Sequence, residues 1–116
     1  STRKESSAAS DVYKRQILDY SSLAGETTDI LTEKLFVTYM KGNLKSQFGS
    51  SYKEVYASGN KLKMTYRAKT GDEVYNYAIC KKSGYKYYWF VFGCKADEKD
   101  FYDPKFEKWA STIHIN

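Results

Sequence analysis

The fold is decided by the segment from Lys53 to Cys94, which reads KEVYASGNKLKMTYRAKTGDEVYNYAICKKSGYKYYWFVFGC. Three polar, glycine-centred stretches interrupt it at Ser58-Gly59-Asn60, Lys69-Thr70-Gly71-Asp72 and Lys82-Ser83-Gly84, and such stretches are typical of tight turns. Between them the segment is rich in Tyr, Val, Phe, Ile and Trp, which suit a pleated, half-buried surface. The segment therefore predicts four antiparallel strands joined by three turns, a β-meander.

Counting residues from each turn predicts which side chains share a face of this sheet. A two-residue loop at Gly59-Asn60 places Ala57 opposite Leu62, the second turn places Met64 opposite Tyr77, and the third continues the pattern into the fourth strand. The first predicted face, assigned to a long helix, carries Val55, Ala57, Leu62, Met64, Tyr66, Tyr75, Tyr77, Ile79, Tyr88, Phe90 and Phe92. The second face is mixed, basic toward the second strand and aromatic toward the fourth, and carries Tyr52, Glu54, Tyr56, Lys61, Lys63, Thr65, Arg67, Asn76, Ala78, Tyr87, Trp89 and Val91.

A long helix is predicted before the sheet, from Thr28 to Phe48. Apolar residues recur along it at helical spacing. This stripe consists of Ile30, Val37, Met40, Leu44 and Phe48, widened near its start by Leu31, Leu35 and Phe36. Thr27 or Thr28 is suited to cap the helix, and Gly49 is suited to end it.

A shorter helix is predicted near the C-terminus. Asp103 is suited to be its N-cap and Pro104 its first residue, and the helix should cover the aromatic end of the mixed face. One side of it carries Phe106, Trp109 and Ala110, and Thr112 to Ile115 is predicted as a final short strand. The predicted fold class is α+β, with a four-stranded antiparallel β-meander packed by the long N-terminal helix and the short C-terminal helix on or near the other face.

Residues 1–16 are predicted to be a disordered tail. Asp11 to Gln16 reads DVYKRQ, which the codons GAT GTG TAT AAG AGA CAG encode, and that string resembles a transposon end used as a sequencing adapter. Our hypothesis is that the tail derives from a chimeric assembly and does not belong to the fold, an ordinary polar tail being the alternative. Finding these codons in an intact gene would contradict the hypothesis. Residues 17–116 should form a single α+β domain.

Composition leaves few functional classes open. The chain has 116 residues, 17% of them aromatic, and a net charge of +5, so a folded domain is expected, and the positive charge suggests nucleic acid as a possible partner. The tail contributes more basic than acidic side chains, so the rest of the chain is only weakly basic. No apolar run is long enough to span a bilayer.

No residue pattern indicates an enzyme, a metal site or a cofactor site. His114 is the single histidine and has no nucleophile motif beside it, so a structural or solvent-exposed role is favoured. Cys80 and Cys94 should be free thiols, buried or half-buried, that point to opposite faces. The acidic loop with Asp97, Glu98, Asp100 and Asp103 does not have the spacing of a calcium loop and is interpreted as a solvated loop.

The candidate binding surface lies on the mixed face and comprises Tyr52, Tyr56, Lys61, Lys63, Arg67, Asn76, Tyr87 and Trp89. Basic groups beside flat aromatic rings on an open sheet can bind single-stranded nucleic acid through charge and stacking. A Tyr-rich surface also suits protein recognition. The favoured alternative is that Tyr87 and Trp89 are core residues under the C-terminal helix and that the lysines lie on a solvated edge.

The C-terminal half resembles a known superfamily. The run from Gly84 to Phe92 is followed by an acidic loop and then by FYDPKFEKWASTI, from Phe101 to Ile113. This resembles the ending of PsbP-like domains, the superfamily of the photosystem II extrinsic protein, a Ran-binding import factor and many small bacterial lipoproteins. The resemblance covers roughly Thr28 to Ile115 in element order. The chain departs from it by lacking the paired strands that precede the long helix, and no binding residue carries over.

This resemblance implies an α/β/α sandwich with no enzymatic activity. It therefore predicts a bacterial binding or accessory domain, extracytoplasmic by analogy with the lipoproteins, whose partner is a protein or a component of the cell envelope. The alternative function is a small basic-aromatic protein that binds nucleic acid or nucleoprotein, such as a phage-encoded inhibitor. The alternative fold is a cystatin-like layout, with one helix wrapped by a four-stranded meander.

Overall fold

A five-stranded antiparallel sheet with two helices forms the structure. The computed structural model describes residues 13–19, 32–84 and 86–114. The elements are β1 (Tyr13–Asp19), α1 (Glu33–Phe48), β2 (Lys53–Ser58), β3 (Lys61–Arg67), β4 (Glu73–Ser83), β5 (Lys86–Lys95) and α2 (Lys99–Ser111). Single 3-10 turns at Gly49–Ser51 and Ala96–Glu98 precede β2 and α2. The strand order is β1-β5-β4-β3-β2.

The predicted fold class is confirmed. Strands β2 to β5 form the meander. The two helices cover opposite faces of the sheet, since successive residues of a strand point to opposite faces and alternate residues of β4 belong to different clusters. The cluster under α1 contains Phe36, Val37, Tyr52, Leu62, Met64, Ala78, Cys80, Tyr87 and Trp89. The cluster under α2 contains Tyr75, Tyr77, Ile79, Phe90, Phe92, Phe106 and Ala110.

Strand β1 changes the predicted boundary of the tail. It pairs with β5 from Tyr13, opposite Phe92, to Asp19, opposite Lys86, so residues 13–16 lie in the sheet and were wrongly assigned to a disordered tail. The physical reason is that β5 would otherwise present a row of unpaired backbone groups, which an adjacent extended segment can satisfy. Residues 1–12 lie outside the described residues, and the adapter origin of these codons stays a hypothesis.

Helix α1 follows its predicted stripe. Val37 is buried and Met40, Leu44 and Phe48 pack against the same cluster, whereas Leu35 is 53% exposed and does not belong to it. The N-cap is Thr32, whose hydroxyl accepts a hydrogen bond from the amide of Leu35. The candidate caps and the predicted start of the helix lie outside the described residues.

The end of α1 is at the predicted glycine. The amide of Gly49 donates to the carbonyl of Lys45, and its φ of 60° lies in the region that glycine adopts without steric cost.

The predicted pairing of β3 with β4 is wrong by one residue. Met64 pairs with Asn76 and not with Tyr77, because the connection from Ala68 to Asp72 is a five-residue loop. In it the Ala68 amide donates to the Asp72 carbonyl and the Gly71 amide donates to the Ala68 carbonyl. A loop with an odd number of residues shifts the register by one and turns every side chain of the next strand to the other face.

This shift reverses the predicted faces of β4 and β5. The side chains of Tyr75, Tyr77, Ile79, Tyr88, Phe90 and Phe92 lie under α2 and not under α1. The pairing between β4 and β5 is displaced by two residues, with Ile79 opposite Phe90, which leaves their shared faces unchanged. In β2, Ala57 pairs with Leu62 as predicted, but a bulge at Val55 places Glu54 opposite Met64.

Helix α2 begins earlier than predicted. It starts at Lys99, so Asp103 is not the N-cap and Pro104 lies within the helix. Pro104 is the sixth residue of the helix and has no amide to donate to the carbonyl of Asp100. The Asp103 carboxylate does not cap the helix because it accepts a hydrogen bond from the Tyr75 hydroxyl of the sheet. Phe106 and Ala110 are buried and Trp109 packs beside them, as predicted.

The predicted C-terminal strand is wrong over its described part. The amides of Thr112 and Ile113 donate to the carbonyls of Trp109 and Ala110, so the helical turn continues where the strand was expected. Residues 115 and 116 lie outside the described residues.

The two cysteines are free and lie on opposite faces, as predicted. Cys80 belongs to the cluster under α1, and Cys94 packs against the cluster under α2. Burial, reinforced by the Glu33 carboxylate, raises the pKa of Cys80 to about 12. Burial, followed by Glu98, Asp97 and Asp103, raises the pKa of Cys94 to about 12. Both thiols therefore keep their protons at neutral pH.

Candidate functional site

The eight residues of the candidate binding surface do not come together. Tyr52, Tyr87 and Trp89 belong to the buried cluster under α1, whereas Lys61 and Lys63 lie on the opposite face, beside α2. The shift between β3 and β4 turns β5, with Tyr87 and Trp89, over relative to β3. The bulge at Val55 turns the chain before it, with Tyr52, to the α1 side. Tyr56 and Arg67 are exposed, and Asn76 is half-buried.

The aromatic members of that surface are structural. Tyr87 is fully buried and stacks on Phe36 with ring centroids 5.0 Å apart, and the indole of Trp89 meets Phe36 edge-on at 6.0 Å. Their interpretation as core residues is correct, but α1 covers them and not the C-terminal helix. Neither ring is accessible to a base.

Asn76 is also held inside the structure. Its amide donates to the hydroxyl of Tyr66 over 2.6 Å. It lies opposite Gly93, and a Cβ atom added to Gly93 would come within 2.5 Å of the Asn76 Oδ1 atom. Because Gly93 has no side chain, the Asn76 amide can occupy the space beside it.

The two lysines belong to a polar network that joins the sheet to α2. We call it the anchor network, and it consists of Lys61, Lys63, Tyr75, Tyr77, Asp103 and Glu107. The Lys61 ammonium donates to both carboxylate oxygens of Glu107 at 3.1 and 3.0 Å. The Lys63 ammonium lies 3.3 Å from Asp103 and 3.2 Å from Glu107.

The tyrosines of the anchor network bind the same carboxylates. The Tyr77 hydroxyl donates to Glu107 at 3.0 Å, and the Tyr75 hydroxyl donates to Asp103. Both lysine nitrogens also lie over the ring of Tyr77, at 5.3 and 5.4 Å from its centroid, where a cation is attracted to the ring face. Asp103 and Glu107 thus each receive one hydroxyl and at least one ammonium from the sheet.

This pairing perturbs the titration of the network. Burial would raise the pKa of Glu107, but hydrogen bonds from Lys61, Tyr77 and Lys63 outweigh it and hold the pKa below its ordinary value. Burial would likewise lower the pKa of Lys61, but its bonds to Tyr77 and Glu107 raise it. Burial, and then the bond to Asp103, raises the pKa of Tyr75. Glu107 therefore stays ionised, Lys61 stays protonated and both tyrosines keep their protons at neutral pH. In this state the network attaches α2 to the sheet.

Sequence reasoning missed the acidic half of the anchor network. Asp103 was interpreted as a helix cap and Glu107 was not singled out, although the two are four apart and share a helix face. The available signal was that two acidic residues four apart on a helix can face two lysines two apart on a strand. The lysines were expected on a solvated edge, and the structure pairs them instead.

The remaining chemical candidates stay apart from one another. His114 is exposed. In the part of the chain that the structure describes, no three His, Cys, Asp or Glu side chains converge so that they could hold a metal ion. The Tyr52 hydroxyl is buried without a hydrogen-bond partner among the described residues, and burial, with Glu54, raises its pKa to about 12.

Exposed apolar side chains lie at three places. Leu35 and Tyr39 are 53% and 54% exposed on α1, Val55 and Tyr56 are 43% and 47% exposed on β2, and Phe101 is 63% exposed on α2. Val55 was predicted to face the core, and the bulge prevents this. These side chains are the described apolar groups that a partner could bury.

Of the strands for which burial is described, β2 to β5, β2 is the most open. It is last in the strand order, and all six of its residues are exposed. Its Glu54 carboxylate lies 2.6 Å from the Lys41 ammonium of α1. Lys53 is the first residue of β2 and Arg67 is the last residue of β3, so both lie far from the loop that joins the two strands. Within the described ranges neither forms an ion pair.

Comparison with known proteins adds no family assignment. No family model matches the chain, and no curated protein matches it. Of the helices that the structure describes, none has the length and apolar character needed to cross a membrane.

Proposed function

We propose that this chain is a non-enzymatic binding or accessory domain whose partner is a protein. The observation that carries the proposal is that large apolar and tyrosine side chains are exposed on the edge strand β2, at Val55 and Tyr56, and on α1, at Leu35 and Tyr39. Apolar and tyrosine side chains at the surface are typical of protein contacts. The PsbP-like resemblance, with a bacterial and extracytoplasmic setting and an envelope component as a further possible partner, is consistent with this role and stays a prediction.

The nucleic-acid alternative receives less support. It needs free lysines beside accessible rings, but Lys61 and Lys63 are engaged by two carboxylates. Tyr87 and Trp89 are 0% and 4% exposed. A backbone phosphate would have to displace Glu107 and Asp103 before it reached either ammonium.

The test compares the two partner classes on the full chain. Immobilised protein is panned with a displayed library of short random peptides, and in parallel it is titrated with a labelled single-stranded oligonucleotide and applied to heparin across a salt series. We expect peptides to be enriched and the oligonucleotide and heparin to be released below physiological salt. Oligonucleotide binding that falls steeply with salt and is lost on Lys63→Glu and Arg67→Glu, with no peptide enriched, would overturn the proposal.

A further inference from the structure

We propose that the open edge of β2 binds an extended, acidic segment of the partner protein by adding it to the sheet as a further strand. This inference rests on the proposed function and specifies its site and the chemistry of its ligand. An edge strand has backbone amides and carbonyls with no partner on one side, and an extended segment can satisfy them.

The register of the β2–β3 hairpin identifies where those backbone groups point. Ser58 and Lys61 flank the two-residue loop, so they form the hydrogen-bonded pair that closes it. The next pair, Ala57 with Leu62, is then a non-hydrogen-bonded pair, in which both residues direct their backbone groups away from each other. The amide and carbonyl of Ala57 therefore face the open edge.

The side chains beside this edge provide apolar contacts. Val55 is the bulged residue, without a paired residue on β3, and it is 43% exposed. Tyr56 is 47% exposed, and the Lys63 ammonium lies 5.4 Å from its ring centroid, which holds it against the sheet. Side chains of an added strand pack against such neighbours and give an otherwise backbone-driven contact its specificity.

Charge decides which segment fits. Lys53 pairs with Thr65, and Arg67 lies two residues further along β3, so both side chains project from the same face as diagonal neighbours. Both are exposed, and among the residues that the structure describes the Arg67 guanidinium donates to the carbonyl of Gly71, at 3.2 Å. An acidic side chain on the added strand can pair with either group.

A second copy of the chain fits this edge less well. The acidic residue of β2, Glu54, is already held by Lys41 at 2.6 Å, so Lys53 of one copy would meet no free carboxylate on the β2 of the other. The chain also carries a net charge of +5. A bulge and an exposed edge lysine both discourage pairing between two identical edges. The lysine does not repel a strand that carries negative charge.

The experiment uses peptides enriched by panning on the full chain, synthesised with a fluorescent label and titrated by anisotropy. Ala57→Pro is the decisive variant, because it removes an outward-facing amide while the ladder to β3 keeps its hydrogen bonds. Lys53→Glu tests the charge. Lys95→Glu is its matched control, since Lys95 is an exposed lysine on β5, and the strands β4 and β3 lie between β5 and β2. Circular dichroism and thermal unfolding show whether each variant is folded.

We expect the enriched peptides to carry Asp or Glu and to bind about tenfold more weakly to the Ala57→Pro and Lys53→Glu variants, with Lys95→Glu within about twofold of the wild type. If Ala57→Pro does not fold, Lys53→Glu and Tyr56→Ser carry the same test. Peptides that bind all these variants as well as the wild type would overturn the edge site while the proposed function stands, and no enriched peptide at all would overturn both. Concentration-dependent dimerisation that Ala57→Pro abolishes would show that the edge accepts a second copy instead.

Discussion

Replacing Asp103 by Ala tests whether the anchor network holds α2 on the sheet. The carboxylate of Asp103 accepts the hydrogen bond of the Tyr75 hydroxyl and lies 3.3 Å from the Lys63 ammonium. Tyr75 is fully buried in the intact protein, and Asp103 is the acceptor for its hydroxyl. The Asp103→Ala variant therefore leaves this hydroxyl without its acceptor.

The expected loss follows from three contributions. An unsatisfied buried hydroxyl costs about 1–3 kcal/mol. The Lys63–Asp103 pair adds up to about 1 kcal/mol, because its side chains are 16% and 29% exposed and solvent screens them in part. Alanine returns about 0.5 kcal/mol through its higher helix propensity. We expect the free energy of unfolding to fall by about 2 kcal/mol.

The assay is urea unfolding at neutral pH, followed by the fluorescence of Trp109, which packs on Phe106 and Phe92 at the α2 interface, and of Trp89. Asp100→Ala is the matched control on the same helix, since its carboxylate is fully exposed and 3.9 Å from Lys99. It should change the free energy of unfolding by less than about 0.5 kcal/mol.

A double-mutant cycle with Tyr75→Phe isolates the hydroxyl–carboxylate bond. In the Tyr75→Phe background, Asp103→Ala should cost at least about 1 kcal/mol less than in the wild type, because no hydroxyl is then left unsatisfied. An equal cost in both backgrounds, or an Asp103→Ala variant as stable as the Asp100→Ala control, would refute the anchor network as the attachment of α2.

Three further outcomes are expected. Because the folded-state pKa of Glu107 is lowered, its stabilising contribution is complete above the pKa of the unfolded chain, about 4.3 for glutamate, and is lost as the pH falls through the lower folded-state pKa; Glu107→Gln should flatten the acid limb of the stability curve, and an unchanged limb would contradict this. Gly93→Ala should cost about 1–3 kcal/mol in urea unfolding because its methyl group meets the paired β4 asparagine at 2.5 Å, whereas Gly42→Ala, with open space around it in α1, should stabilise by about 0.5–1 kcal/mol; equal effects would rule out the clash. Cys80, which is buried and has a pKa of about 12, should react with a disulfide reagent only at the rate of opening or unfolding, and fast labelling of the native Cys94→Ser variant at neutral pH would contradict this burial.

The candidate site shows where sequence reasoning stops. Lys61 and Lys63 were recognised as a pair on one strand face, and Tyr87 and Trp89 as core residues, because alternation along a strand is a local property. The lysines contact carboxylates of α2 because this helix begins at Lys99, four residues before Asp103. No local sequence pattern predicted that the helix begins there. The binding surface predicted from these residues was therefore divided between two sides of the sheet.

By itself, the sequence determined the meander, its three glycine turns, the stripe of α1 and the stop at Gly49, because each depends on residues close together in the chain. Only the tertiary structure decided which side of β4 and β5 each helix covers. That choice depends on whether the loop after Arg67 has an odd or an even number of residues, and aromatic side chains lie on both sides of β4 and β5. With Tyr and Phe available to either helix, hydrophobicity could not select the register, and the backbone hydrogen bonds from Ala68 to Asp72 selected it instead.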